Sequence, residues 1–260
     1  MKVYFIGAGP GASDLITLRG ANILARVSMV LYAGSLVPTD MLKHCSPDAE
    51  LLDTSKLDLE EQQACYQRAQ QAGVDVARLH SGDPAIYGAT AEQMRRLDTL
   101  DIEYEIVPGV SSFSAAAAEI NAELTKPEVS QSIILTRVSG RASAVPESES
   151  IAKLAQHRAT MCIFLSGPHL KKIVTDLLLH YPKDTPVALV YRASWPQQRS
   201  YQGTLGAVLE DTVSGNWNLT TMMLVGAALG RELPTESSLY SKDFTHIFRV
   251  PKKNNQNIEP

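Results

Sequence analysis

The sequence predicts an α/β fold, and three observations carry that expectation. Short apolar strands alternate with helices through the first half, the pattern of a parallel sheet with helices on both faces. Two of those strands run into turn-rich loops, Gly7–Asp14 and Ser81–Gly88. A loop after the carboxyl end of a buried strand is where open α/β sheets place ligands. The chain has 260 residues. That length buries a good core and allows one large domain or two of about 120–130 residues.

Lys2–Ile6 is an apolar strand. The Gly7–Asp14 loop follows it, and a helix runs roughly from Thr17 to Arg26. Ser28–Tyr32 is the second strand, ending in a loop that turns on Gly34 and Pro38. Leu59–Ala72 reads as a helix with Gly73 as its C-cap. Val74–Leu79 is a buried strand feeding Ser81-Gly82-Asp83-Pro84, where each residue has its own backbone reason to turn. Gly82 can take a positive φ, and Pro84 fixes its own. Thr90 is expected to cap a helix over Ala91–Leu97. Glu103–Val107 is a strand, and Ser111 begins a short helix with Phe113, Ala115–Ala118 and Ile120 as its body.

The second half begins near Asn121. Ser132–Thr136 is a strand, Arg137–Arg141 a loop, and Pro146–Glu149 opens a helix with acids at the positive end of its dipole. Thr160–Leu165 is a strand and Ser166-Gly167-Pro168 a turn. His169–His180 has helical apolar spacing through Leu170, Ile173, Val174, Leu177 and Leu178. Pro186–Tyr191 is a strand, Arg199–Thr204 an antiparallel one, Leu205–Val213 a short helix, and Thr221–Val225 the last strand. The polar tail, 251–260, has no period and is expected to be disordered.

The formal charge of −4 lacks the basic excess of a nucleic-acid binder. Cys45, Cys65 and Cys162 lie far apart, without metal-ligand spacing. A reduced cytoplasmic compartment fits them, and no metal is expected. No apolar run approaches the ~20 residues of a membrane span, and Met1 leads straight into a strand.

Gly7-x-Gly9-x-x-Ala12 satisfies a loose dinucleotide fingerprint. Two details oppose it. Pro10 removes an amide from the turn. The end of the second strand, Leu31–Gly34, carries no acid for a ribose hydroxyl.

Three motifs in order carry a resemblance instead. Gly7-Ala8-Gly9-Pro10-Gly11 precedes a Leu15–Leu18 helix start; Gly82-Asp83-Pro84 precedes Tyr87 and Gly88; Val107-Pro108-Gly109-Val110-Ser111 completes the set. The chain resembles the tetrapyrrole (corrin/porphyrin) methylases from about Lys2 to Val250. Within that family, Tyr32–Pro38, Thr136-Arg137-x-x-Gly140-Arg141 and Val145-Pro146-Glu147-x-Glu149 look like the precorrin-4 C11-methyltransferase branch, cobalt-dependent or not. The uroporphyrinogen methyltransferases carry an aspartate at the place of Ala33 and Gly-Gly-Asp at Ser81-Gly82-Asp83.

The resemblance implies a two-domain tetrapyrrole methylase fold, with a mostly parallel N-terminal sheet, a mixed C-terminal sheet and a cleft between. The implied domains are residues 1–118 and 119–250, joined near Ala117–Glu123. It implies S-adenosyl-L-methionine as cofactor, a carboxylate-rich tetrapyrrole as substrate, transfer to a ring carbon, and a homodimer. Carried over by motif position, the cofactor residues are Pro10, Ser81, Gly82, Asp83, Ile86, Ser111, Ser112, Ser166, Ala193, Thr220 and Thr221. Ser166 and Ala193 match only as strand-end positions, with contact through backbone. Ser111-Ser112 is also a ready helix N-cap, and free amides there suit a carboxylate. Asp83 can accept from the cofactor or cap its own turn, and it is expected to be dispensable for the fold.

For the substrate, Gly9 and Gly11 are expected to present bare backbone to a flat molecule. Arg137 and Arg141 are expected to bind carboxylates in the Arg fork, with Arg192 and Arg199 as further candidates. No catalytic residue stands out. The six histidines are scattered and read as surface or satisfied, with His80 the one beside the Gly82-Asp83-Pro84 loop.

Overall fold

The computed structural model describes residues 1–139, 144–230 and 244–245. Strand β1 (Lys2–Gly7) is apolar on both sides because both sides are covered. Val3 and Phe5 join one core cluster, Tyr4 and Ile6 another. Around it lie β2 (Met29–Tyr32), β3 (Glu50–Asp53), β4 (Val76–His80) and β5 (Glu103–Val107), in the order β3-β2-β4-β1-β5. All four pairings are parallel. Helices α1 (Leu18–Leu24), α2 (Leu59–Ala72) and α3 (Thr90–Thr99) connect them.

Helix α2 starts where its sequence says. The Asp58 carboxylate accepts from Glu60 N and Glu61 N, both at 2.8 Å, and the Asp58 amide donates to Glu61 at 2.9 Å. It ends on Gly73, at φ 67°. Strand β3 was not expected. It is a mostly exposed edge strand, with Leu51 and Leu52 flanked by Glu50 and Asp53 at its ends. Thr90 does not cap α3. Ala89 holds the capping position at φ 49°, and the Thr90 hydroxyl donates to the Pro84 carbonyl at 3.3 Å.

The second half forms its own sheet. Strands β6 (Ile133–Arg137), β7 (Thr160–Phe164), β8 (Pro186–Tyr191), β9 (Arg199–Thr204) and β10 (Thr221–Val225) lie in the order β6-β7-β10-β8-β9. Only β6–β7 is parallel. The pairs β7–β10, β10–β8 and β8–β9 are antiparallel, so the sheet is mixed. Helix α4 (Ser112–Glu119) leads into this half. Its Ala116 and Ala117 pack with Ala188, Val190, Met222 and Leu224 of the second sheet. The other face carries α5 (Ile151–Ala155), α6 (Leu170–Leu177) and α7 (Val208–Asp211). All three are shorter than their sequence pattern. Pro146–Glu149 does not open α5 but precedes it as a separate single turn, Glu147–Glu149. The tail expected to be disordered lies outside the described residues.

The carboxyl ends of β1, β4 and β5 meet through glycine backbone. A Cβ on Gly7 would stand 2.5 Å from Gly109 Cα and 2.7 Å from Gly82 O. The Gly82 amide donates to Gly9 O at 2.8 Å, and the Gly9 amide returns to Gly82 O at 3.2 Å. This contact yields a test. Gly109→Ala meets backbone that cannot step aside, so it should cost about 3 kcal/mol, the upper range of overpacking. Gly73→Ala meets nothing within 4 Å and should cost only the left-handed backbone term, about 1 kcal/mol. Urea midpoints of the two variants compare them; equal losses would show that the three loops do not need the glycine contact.

Candidate functional site

A cavity opens between the two sheets. Pro10 after β1, Ser81–Asp83, Ile86 and Tyr87 after β4, and Ser111-Ser112 at the start of α4 form one wall. Phe164 and Leu165 after β7, Val190, Arg192, Ala193 and Trp195 around the end of β8, and Leu219–Met222 entering β10 form the other. The residues assigned to the cofactor from sequence therefore converge, with one exception. Ser166 does not line the cavity. Its amide and its hydroxyl both donate to Thr221 O at 3.0 Å, which ties the turn after β7 to the start of β10. Its amide and hydroxyl are thus engaged within the chain.

Asp83 has a structural duty as well. One carboxylate oxygen accepts from Ala85 N at 2.8 Å and the other from Gly109 N at 2.8 Å. The expectation that its loss would leave the fold untouched is thus corrected, because the Gly109 amide would lose its partner. Ser111 occupies the N-cap position of α4, but its side chain makes no capping bond. The Thr221 hydroxyl is buried and has no hydrogen-bond partner among the described residues. A buried hydroxyl without a partner costs free energy. In a cavity wall it is an invitation to a polar ligand.

The glycine loop is not bare. Gly9 is buried at φ 77°, and a Cβ on it would stand 3.0 Å from Leu15 O. Gly11 lies under the indole of Trp195, whose Nε1 would be 2.5 Å from a Cβ there. Both glycines serve close packing within this chain, and the free surface expected for a flat substrate is covered. Arg137 stands 5.8 Å from the centre of the Tyr87 ring, at the cavity edge. Tyr87 packs edge-on against Phe164 at 5.0 Å. Arg141 lies outside the described residues. Arg192 lines the cavity and lies over Trp195 at 5.1 Å; Arg199 stacks on Tyr191 at 4.2 Å. Tyr87, Leu165, Arg192 and Ser194 take φ values of 54°, 55°, 48° and 65°. Such strain persists where surrounding structure enforces it, and it gathers at binding sites.

Trp195, Tyr87, Phe164 and Leu219 were not singled out from sequence as site residues. Each sits outside a helical or strand repeat or at its end, so periodicity carries no sign of them.

His80 lies behind the Gly82-Asp83-Pro84 loop and does not line the cavity. It is buried, its Nε2 has no partner among the described residues, and its ring is 5.7 Å from Phe5. Burial, then the charge of Arg78, push its pKa down to about 3; a backbone hydrogen bond to Gly88 opposes them. The Arg78 guanidinium donates to Gln93 at 3.2 Å and Gln62 at 3.4 Å, with no carboxylate partner among the described residues. His80 is therefore folded as the neutral imidazole.

The cavity and its frame define a class before any comparison. This is a two-sheet α/β protein with a cavity between the strand-end loops of an all-parallel and a mixed sheet. The sequence profile of the tetrapyrrole (corrin/porphyrin) methylases matches residues 2–209. A precorrin-4 C(11)-methyltransferase of Pseudomonas aeruginosa is 49% identical over 249 residues, 96% of this chain and 99% of that one. An X-ray structure of a cobalt precorrin-4 methyltransferase, a cobalamin biosynthetic enzyme, superposes with a TM-score of 0.84. It is 42% identical, covering 88% of this chain and 96% of its own. A uroporphyrin-III C-methyl transferase from Thermus thermophilus, complexed with S-adenosylhomocysteine, gives a TM-score of 0.71 at 25% identity, covering 88% of this chain and 98% of that one. The chain belongs to the tetrapyrrole methylase family.

Two expected outcomes follow from this geometry. Asp83→Ala should lose about 1.5–3 kcal/mol of stability, the worth of a hydrogen bond to a charged acceptor; thermal unfolding measures it. The neutral His80 carries a pH signature. Its folded pKa lies below the unfolded value near 6.5, so its contribution is complete above pH 6.5 and is lost as pH falls towards 3. The slope approaches about 1.4 kcal/mol per pH unit. His80→Gln should flatten the difference in stability between pH 7 and pH 5, and a parallel pair of curves would show that His80 titrates normally.

Proposed function

We propose that this protein is an S-adenosyl-L-methionine-dependent methyltransferase that methylates C11 of precorrin-4 or cobalt-precorrin-4. The observation that carries this reading is the convergence of the three glycine loops and the strand ends of the second sheet on one cavity, with the Thr221 hydroxyl buried in its wall and unpartnered. The names of the similar proteins supply the substrate. We further propose a cytoplasmic homodimer whose two α/β domains divide near 118/119. Among the described residues no helix is long and apolar enough to cross a membrane.

The cofactor supplies an electrophilic methyl group on a sulfonium, which an electron-rich ring carbon attacks in line. Little covalent help is needed from the protein. Its residues orient and exclude. Pro10, Ser81, Gly82, Asp83 and Ile86 would hold one side of the cofactor, and Ala193, Thr220 and Thr221 the other. The amides at the start of α4, with Ser111 and Ser112, suit its carboxylate. Phe164, Leu165 and Met222 give the cavity apolar lining. Holding donor and acceptor at near-attack distance can supply on the order of 7–11 kcal/mol of the barrier. Arg137 would meet substrate carboxylates at the rim, and Arg141 is proposed to bind them too.

Thr221→Val keeps shape and deletes the hydroxyl. S-adenosylhomocysteine should then bind about 2–12-fold more weakly, the worth of one hydrogen bond. Calorimetry measures this, and a product assay with precorrin-4 and cobalt-precorrin-4 measures the transfer. Failure of the unaltered protein to bind S-adenosylhomocysteine would refute the reading.

A further inference from the structure

The glycine loop and the turn after β8 belong to different sheets, yet they are joined at the cavity. Trp195 Nε1 donates to Pro10 O at 2.8 Å. Two residues on, the Ala12 amide donates to the Ser194 hydroxyl at 2.9 Å. The turn is in turn anchored to α4, because the Ser194 amide donates to Gln198 and the Gln198 amide donates to Glu119 at the end of α4. Ser194 holds a left-handed backbone at φ 65°, which a lone loop would relax. The Trp195 indole covers Gly11, and only glycine leaves room for it.

From this we infer that Trp195 is a positioning residue for methyl transfer. It locks the glycine loop of the first sheet, which brings Pro10 to the cavity, to the wall built by the second sheet, so that the two halves holding the reactants share one rigid frame. The inference rests on the proposed function. It goes beyond it by assigning the alignment of the two sites to one indole. A wrong alignment of about 1 Å is enough to slow such a reaction a hundredfold. A residue that aligns should therefore act on kcat more than on binding.

The test uses the full chain. Trp195→Phe keeps a ring and removes the N–H, and should lower kcat about 5–10-fold. Trp195→Ala should lower it about 30–100-fold. In both, the KM for the tetrapyrrole and the Kd for S-adenosylhomocysteine should stay within about fivefold. Gly11→Ala pushes the indole away and should mimic Trp195→Ala, while the double variant should be no worse than Trp195→Ala alone. Multiplying penalties, or a kcat within twofold of the parent in Trp195→Ala, would overturn the inference.

A readout free of turnover accompanies these. The chain has two tryptophans, so Trp217→Phe leaves Trp195 as sole emitter. Adding Gly11→Ala should shift its emission to the red as the indole leaves the Pro10 carbonyl for water. Unchanged emission overturns the contact itself. A parent protein that transfers no methyl group to the tetrapyrrole refutes the proposed function and this inference with it. An active parent with indifferent Trp195 variants refutes only the inference.

Discussion

Backbone touches backbone where Gly7, Gly82 and Gly109 meet, and the cavity's first wall depends on that contact. Three strands of a parallel sheet end side by side, and each must launch a loop in its own direction. A Cβ on Gly7 would stand 2.5 Å from Gly109 Cα and one on Gly109 2.3 Å from Gly82 O, whereas Gly82 itself has room for one and is glycine for its φ of 68°. With glycine they close to van der Waals distance, and Asp83 binds the middle loop to the third through the Gly109 amide. The wall is therefore built of main-chain groups whose positions are set by the sheet. Such a surface reorganises little when a ligand arrives, which is what a reaction driven by alignment needs.

The second wall is held differently. It comes from an antiparallel pair, so the end of β8 and the beginning of β10 present their loops together. Ser166 ties in the end of β7 through two bonds to one carbonyl. Aromatic side chains then bridge to the first half. Tyr87 crosses to Phe164, and Trp195 crosses to the glycine loop. Arginines sit over these rings and keep their charge beside the cavity in a chain that is net acidic. The ion pairs among the described residues, such as Lys2–Glu105 and Arg68–Glu50, are exposed or only partly covered and contribute little.

Behind the first wall, a second layer of polar groups is buried without acids. Tyr66, Gln62 and Gln93 surround Arg78, and His80 sits above it. Neutral acceptors satisfy the guanidinium geometrically but leave its charge in place. That charge, with burial, keeps His80 neutral.

How much of this was legible in the sequence follows from the range of the forces involved. Local chemistry was readable by itself. The apolar run of β1, the Asp58–Glu61 cap and Gly73 of α2, and the turn residues after β4 act within a few residues. The three glycine motifs were readable too, and with them the family and most of the cavity wall. The shared duty of those glycines was not, because Gly7 and Gly109 are a hundred residues apart in the chain and meet only when β1 pairs with β5. For the same reason Gly9 and Gly11 looked bare. What covers Gly11 is Trp195, brought there by the other sheet, and no spacing in the sequence records that approach. Strand β3 stayed hidden because an edge strand exposed to water needs no apolar pattern. The bonds that Ser166 makes to Thr221 and Asp83 to Gly109 were not legible either, because each joins residues far apart in the chain. Local propensity and motif order are written in neighbouring residues; which polar group finds which partner is decided only when distant strands close the cavity between them.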